Sequence, residues 1–424
     1  MKWRYLLFAL FLWTLPALGQ QVEIFGYFEP QFMGAKIGDE FYQLSSNKLR
    51  VDLQLRTSDR VSFGANFDYI TYHGKTDWDL KLFMPENVVN EVSDINMFGY
   101  SFNPYHWEFS DRQFLDNAFV KFSFSKFDLT VGKQQISLGT GYVWNPVDVF
   151  NRKDIVDPTY EQPGHNAIRL DIPISSKWGI TSIYAPTDNW KADDLLLKLK
   201  GNLGHFDFSI LGIQKQWKFT DARIVDFINQ KFYQLPTRRQ ILGFDFAGEL
   251  FGLGVWGEAA HNRLLIENDD WLDYEKQLAM TSLGASLPMS LERNFWEWVV
   301  GADYTFDSQT YVMAEFYQNY FAKDDYNDYR FNDWMQYYMA ETKTLSRDQC
   351  YTMIQHPVTD LLSASISGIY SFSDESSAVF PMIVYNLFED VDLTFIGNFY
   401  LGKEGTAYAK NLGNGFMARA KVYF

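Results

Sequence analysis

From residue 22 to its last residue, this chain alternates apolar and polar side chains with a period of two, in segments of about ten residues separated by turn-forming residues. In NKLRVDLQLR, Leu49, Val51, Leu53 and Leu55 share one parity, and Lys48, Arg50, Asp52, Gln54 and Arg56 the other. RVSFGANFDY sets Val61, Phe63, Ala65, Phe67 and Tyr69 against Arg60, Ser62, Asn66 and Asp68. DLLLKLK sets Leu195, Leu197 and Leu199 against Lys198 and Lys200. The chain closes on GFMARAKVYF, where Phe416, Ala418, Ala420, Val422 and Phe424 oppose Met417, Arg419, Lys421 and Tyr423. Successive residues of a strand point to opposite faces, so each segment predicts a strand with one apolar and one polar face.

Seventeen segments read this way, near 22–35, 46–57, 59–71, 115–125, 127–136, 165–174, 177–185, 193–202, 205–215, 238–250, 252–263, 294–305, 309–321, 360–372, 376–387, 390–402 and 413–424. Single-chain bacterial barrels have an even number of strands, so the expected fold is all-β, a transmembrane antiparallel up-and-down barrel of 16 or 18 strands. Short links are TSDR (57–60), SKFD (125–128), ISSKWG (174–179), NLGH (202–205) and FDSQ (306–309). Long ones run over 73–113, 137–163, 216–237, 264–293 and 322–358. In such a barrel the short set faces the periplasm and the long set the outside. Within 322–358, Trp334, Tyr337, Tyr338 and Glu341 have helical spacing.

Composition supports this reading. Apolar residues make up 47% and aromatic residues 18%, yet mean hydropathy is −0.24, and no later segment approaches the roughly 20 apolar residues of a membrane helix. A closed barrel pairs every backbone group between strands and needs only every second residue apolar. A secreted β-sandwich would also alternate, but Tyr, Phe and Trp gathered at strand ends fit interfacial girdles better.

MKWRYLLFALFLWTLPALG carries Lys2 and Arg4, an apolar run from Tyr5 to Leu15, and small residues at Ala17 and Gly19. It predicts a signal peptide over 1–19 and a barrel domain over 20–424. Loss of Lys2 and Arg4 from 37 basic residues leaves 35 against 53 acidic ones, a net charge of −18 that excludes nucleic acid as a partner. Cys350 is the lone cysteine, so no intramolecular disulfide forms. Terminal Phe424 closes an alternating strand, which resembles the sorting signal read by the outer-membrane barrel-assembly machinery.

With polar parity turned inward, the lumen near the closing seam carries Lys48, Arg50, Arg56, Arg60, Arg419 and Lys421 against Glu23, Glu29, Asp52 and Asp68. Segments from 238 to 321 point Asp245, Glu249, Glu258, Glu297, Asp303 and Glu315 inward, with Arg239 as the basic counterpart. One wall is mixed to basic and the other acidic, and opposed charges of this kind set pore selectivity. The alternative is that these groups pair with neighbours and keep the lumen wet.

VGKQQISLGTGYVWNPVDVFNRKDIVDP (131–158) starts as a strand and breaks at Gly139, Gly141 and Asn145-Pro146. Gly132, Lys133, Gln134, Gly139, Gly141, Asn145, Pro146, Asp148 and Phe150 resemble a pattern of Gram-negative outer-membrane porins, including alginate-export-like barrels. Lys133 stands where Arg is usual, and Leu138 where Trp is usual. The resemblance covers about 30 residues and implies a porin without naming a solute. Folded inward, the loop 137–163 would narrow the pore with Asp148, Arg152, Lys153, Asp154 and Asp157; otherwise it is an ordinary outer loop.

There is no HExxH, GxSxG, P-loop or CxxC, and His73, His106, His165, His205, His261 and His356 lack metal-ligand spacing. No enzyme, cofactor or metal is expected. A channel for hydrophobic solutes would need an apolar path, whereas inward positions such as Ser363, Ser365 and Ser367 are polar. The expected function is an outer-membrane channel for passive diffusion of small polar solutes. The partners are then the lipid bilayer and those solutes, and a homo-oligomer is left open. The competing reading is a surface receptor or adhesin acting through aromatic, acidic loops such as TDWDLKLF and FNDWMQYY.

Overall fold

The computed structural model describes residues 21–38, 40–90, 95–97, 100–103, 105–157, 160–186, 193–226, 231–280 and 291–424. The expected leader at 1–19 lies outside the described residues. Eighteen strands form one antiparallel sheet. They are β1 (Gln21–Ile37), β2 (Glu40–Ser58), β3 (Val61–Gly74), β4 (Arg112–Ser123), β5 (Asp128–Gln135), β6 (Gly164–Pro173), β7 (Trp178–Ala185), β8 (Asp194–Leu203) and β9 (Phe206–Asp226). The second half comprises β10 (Lys231–Leu250), β11 (Leu253–Leu265), β12 (Asn294–Thr305), β13 (Tyr311–Asn319), β14 (Asp348–Thr359), β15 (Leu362–Ser371), β16 (Ser376–Phe388), β17 (Val391–Tyr400) and β18 (Asn414–Tyr423). Each strand pairs with the next, and β1 pairs with β18 from Tyr27 opposite Tyr423 to Lys36 opposite Asn414. The sheet therefore closes into a barrel with no free edge, which is how strands can cross lipid with every backbone group paired.

The period-2 pattern sorts as expected. Leu195, Leu197 and Leu199 face outward and are exposed, as are Phe416, Val422 and Phe424. Arg419 and Lys421 point inward, with side chains 14% and 20% exposed. The Phe424 backbone exchanges hydrogen bonds of 3.1 and 3.0 Å with Gly26 and completes the seam.

The strand that the alternation missed is β14, which lies within the expected loop 322–358. Its inward residues Tyr351 and Met353 are buried against side chains filling the lumen, while outward Cys350 and Thr352 are small or polar, so neither parity is consistently polar. The connection before it spans only 320–347.

The two longest helices among the described residues lie in the connections: α1 (Asn268–Ala279) and α2 (Phe331–Tyr338). The second holds Trp334, Tyr337 and Tyr338 as their spacing predicted, and Glu341 falls beyond its end. The expected loop 216–237 is mostly strand, since β9 runs 21 residues and β10 20. A strand of that length reaches roughly 70 Å, beyond the ~30 Å hydrocarbon core even when tilted. The hairpin thus stands above the barrel, where Phe219, Ile224 and Leu235 pack with Tyr274 and Leu278 of α1.

Short turns such as 59–60, 124–127, 204–205 and 360–361 lie at one rim. The long connections 75–111, 136–163, 266–293 and 320–347 leave from the other.

Candidate functional site

The connection 136–163 folds into the barrel and reaches from one wall to the opposite one. On the far wall, Glu258 of β11 accepts the N–H groups of Thr140 and Gly141 at 2.6 Å each, the Asn145 amide at 2.9 Å and the Val147 N–H at 3.2 Å. Glu315 of β13 accepts the N–H groups of Tyr142, Val143 and Trp144 at 2.5, 2.9 and 3.0 Å, and the Trp256 indole N–H at 2.8 Å. Both carboxylates are buried. Lys153 donates to the carbonyls of Gly141 and Tyr142 at 2.6 and 3.0 Å, so the same short segment gives its N–H groups to carboxylates and its C=O groups to an ammonium. Such charge-assisted bonds are about twice as strong as neutral ones.

The glycines of the motif follow from this geometry. Gly139 has φ +83°, and a Cβ there would lie 2.3 Å from Glu258 Oε1; at Gly141 it would lie 1.9 Å from the Trp144 carbonyl. Only residues without a side chain let the backbone approach that closely. Beneath the turn, Ile136, Leu138 and Val147 pack on inward Ile183, Leu196, Leu211 and Ile241, which gives the loop an apolar seat. Asp148 closes the turn by accepting the N–H groups of Leu138, Phe150 and Asn151. Above it, Lys343 of the 320–347 connection donates to the Asn145 and Pro146 carbonyls at 2.5 and 3.2 Å.

The open acidic wall expected from parity is therefore covered. Glu258 and Glu315 hold the loop. Glu297 is buried among Arg239 (2.5 Å), the Tyr317 hydroxyl (3.0 Å) and Lys343 (3.5 Å). Asp245 accepts from Ser209 and pairs with Lys198 at 3.4 Å. Asp303 accepts from Tyr311 at 2.9 Å near the short-turn rim, where Glu249 is exposed. Arg56 and Arg60 also sit exposed at that rim, Arg56 paired with Asp59, because their strand positions lie past the narrow part of the lumen.

The other end of the loop meets the seam wall. Lys48, Arg50, Arg419 and Lys421 rise there from β2 and β18. The Glu161 carboxylate lies 3.1 Å from Lys48, 3.1 Å from Arg50 and 3.5 Å from Lys421, and accepts the Tyr27 hydroxyl at 2.7 Å. Asp157 pairs with Arg419 at 2.9 Å. Arg50 also reaches Asp52 at 2.9 Å and Asp116 at 3.2 Å, and Lys421 lies 3.8 Å over the Tyr27 ring. Burial works against ionisation of Glu161, but Lys48, the Tyr27 hydroxyl, Arg50 and Lys421 outweigh it and hold its carboxyl down at about 2. These groups border a cavity of about 570 Å³ lined by Lys48, Arg50, Asp68, Asp157, Glu161 and Arg419. Asp154 lines it too, whereas Arg152 is turned away, donating to the Tyr337 carbonyl at 2.6 Å.

Parity reasoning missed Glu161, Tyr160, Tyr27 and Asp116. Asp116 is the extra residue of a bulge in β4, between Leu115 opposite Phe67 and Asn117 opposite Asn66, so two consecutive side chains turn inward. Glu161 belongs to no strand, and only the inward fold of the loop brings it to the cations.

No family model matches the chain, and no curated protein matches it. Solved structures do. OccAB1 of Acinetobacter baumannii is 13% identical over 96% of this chain and 96% of that one, with a TM-score of 0.55. OccK11 (OpdR) of Pseudomonas aeruginosa is 8% identical over 96% and 95%, at 0.52. OccK2 (OpdF) of the same organism, solved in complex with glucuronate, is 8% identical over 95% and 97%, also at 0.52. At such identities the likeness is one of fold: the chain is a closed 18-stranded antiparallel barrel of the outer-membrane type.

Proposed function

We propose that this protein is a channel of a Gram-negative outer membrane that lets small hydrophilic solutes diffuse passively past a charged eyelet. The observation that carries the reading is the inward loop 136–163, pinned to Glu258 and Glu315 on one side and ending in Asp157 and Glu161 beside the cation row Lys48, Arg50, Arg419 and Lys421 on the other. A lumen narrowed this way admits polar solutes and sorts them by charge.

The short-turn rim then faces the periplasm and the long connections the outside, with residues 1–19 as the export signal and Phe424 as the sorting signal for the barrel-assembly machinery. Translocation on this reading involves no chemical step, cofactor or metal. The resemblance to alginate-export-like porins and the glucuronate bound in OccK2 make sugar acids a sensible first solute class to test, beside neutral sugars.

The test is single-channel recording of the refolded chain 20–424 in a planar bilayer, with a salt gradient to read ion selectivity. Stable steps whose reversal potential responds to Arg50→Met and Glu161→Gln support the eyelet. A folded, heat-modifiable barrel without conductance overturns it and moves the function to the outer loops, as a receptor or adhesin.

A further inference from the structure

Above the eyelet lies a second chamber of about 520 Å³, walled by α2, by residues 152–156 of the inward loop and by the ends of β16 and β17. It adjoins the eyelet cavity, since Phe83, Asp154, Val156 and Leu412 line both. A solute moving inward from the long-loop side has a place to rest here before meeting the cation row.

The wall chemistry is specific. Half-buried Tyr337, Tyr338 and Tyr400 supply ring surface, backed by buried Trp334, Phe380 and Tyr408. Trp334 is 1% exposed and backs the chamber wall from behind. The Tyr338 hydroxyl donates to the Phe83 carbonyl at 2.8 Å, which leaves its phenolic oxygen able to accept. Asp154 adds a carboxylate oxygen, its other contact being the Val156 N–H at 2.8 Å.

Arg152 donates to the carbonyls of Tyr337 and Thr342, and Lys153 to those of Gly141 and Tyr142. An anion would find these donors engaged and the Asp154 carboxylate opposed to it. An apolar guest would leave Asp154 unpaired. Flat aromatic faces beside oxygen acceptors match a sugar ring, which has apolar C–H faces and hydroxyls around its edge. The volume falls within the roughly 300–1,000 Å³ of small-molecule sites.

We infer that this chamber is a binding site for a neutral saccharide of one or two rings, held ahead of the eyelet. Its role in transport rests on the channel reading; the binding does not.

The test uses the mature chain in a sugar-free detergent, with maltose as probe, read by saturation-transfer NMR and calorimetry, beside glucuronate and benzoate. Maltose binding that weakens at least tenfold in Tyr337→Ala and in Asp154→Asn is the expected result. Tyr337 is half-buried and Asp154 lies in a loop, so both variants keep the fold. No maltose binding by a barrel that conducts ions overturns the site and leaves the channel standing. Maltose binding by a barrel that does not conduct keeps the site and sinks the channel. Binding of benzoate alone, or maltose binding indifferent to Tyr337→Ala, also overturns the site.

Discussion

The carboxylate of Glu161 and the guanidinium of Arg50 lie 3.1 Å apart, although the first belongs to a loop and the second to a barrel strand 111 residues earlier in the chain. That contact brings a loop carboxylate against the cations of the seam wall. Lys48, Arg50, Arg419 and Lys421 form a cation row, but Glu29, Asp52, Asp68, Asp116, Asp157 and Glu161 stand against it. The protein's own carboxylates outnumber the row, and the loop supplies two of the six.

Glu161→Gln should therefore shift the eyelet toward anions. A unit charge about 4 Å away in water is worth about 1 kcal/mol, which amounts to on the order of fivefold in the anion-to-cation permeability ratio. Reversal potentials under a salt gradient check this, and an unchanged ratio would show that Glu161 is not on the ion path.

Acid should act through the same group, but late. The ordinary glutamate value is 4.5 and the folded value of Glu161 is about 2. A depressed carboxyl contributes stability above its ordinary value and loses it as pH falls through the folded value. The Glu161 component, read as wild type minus Glu161→Gln, should stay flat from pH 7 to about 4 and vanish approaching pH 2. A midpoint near 4.5 would contradict the ion cluster.

Glu315→Ala should loosen the loop without opening the barrel. It leaves three backbone N–H groups and the Trp256 indole without their acceptor. The expected cost to the loop's seat is on the order of 3 kcal/mol, seen as larger, noisier conductance and protease cleavage within 136–163. Heat-modifiability should persist, because the strand pairing is untouched. Gly139→Val should act the same way, by pushing a side chain into Glu258.

Deleting Phe424 should lower the amount of protein reaching the outer membrane of cells while the purified chain still folds in detergent. The terminal residue adds only the seam bonds to Gly26, a small part of the β1–β18 pairing. Equal loss in both assays would assign Phe424 a structural role instead.

Most of the barrel was legible because lipid outside and water inside force a period of two onto each crossing strand. Seventeen strands showed that period. β14 did not, because it faces packed aromatic side chains such as Tyr408 and Tyr317 rather than water, and the contrast between its faces is lost. The same physics misread the acidic wall. Parity correctly turned Glu258, Glu297 and Glu315 inward, yet it could not say that the space in front of them is filled.

The sequence by itself determined seventeen of the strands, their inward charges and the breaking point at Gly139 and Gly141. Those are local matters of side-chain alternation and backbone freedom. Only the tertiary structure decided that the broken strand folds into the lumen, that Glu258 and Glu315 cap its N–H groups, and that Glu161 meets Lys48 and Arg50. Those contacts join residues more than a hundred positions apart, and a buried carboxylate looks the same in sequence whether it faces water, a cation or a backbone amide.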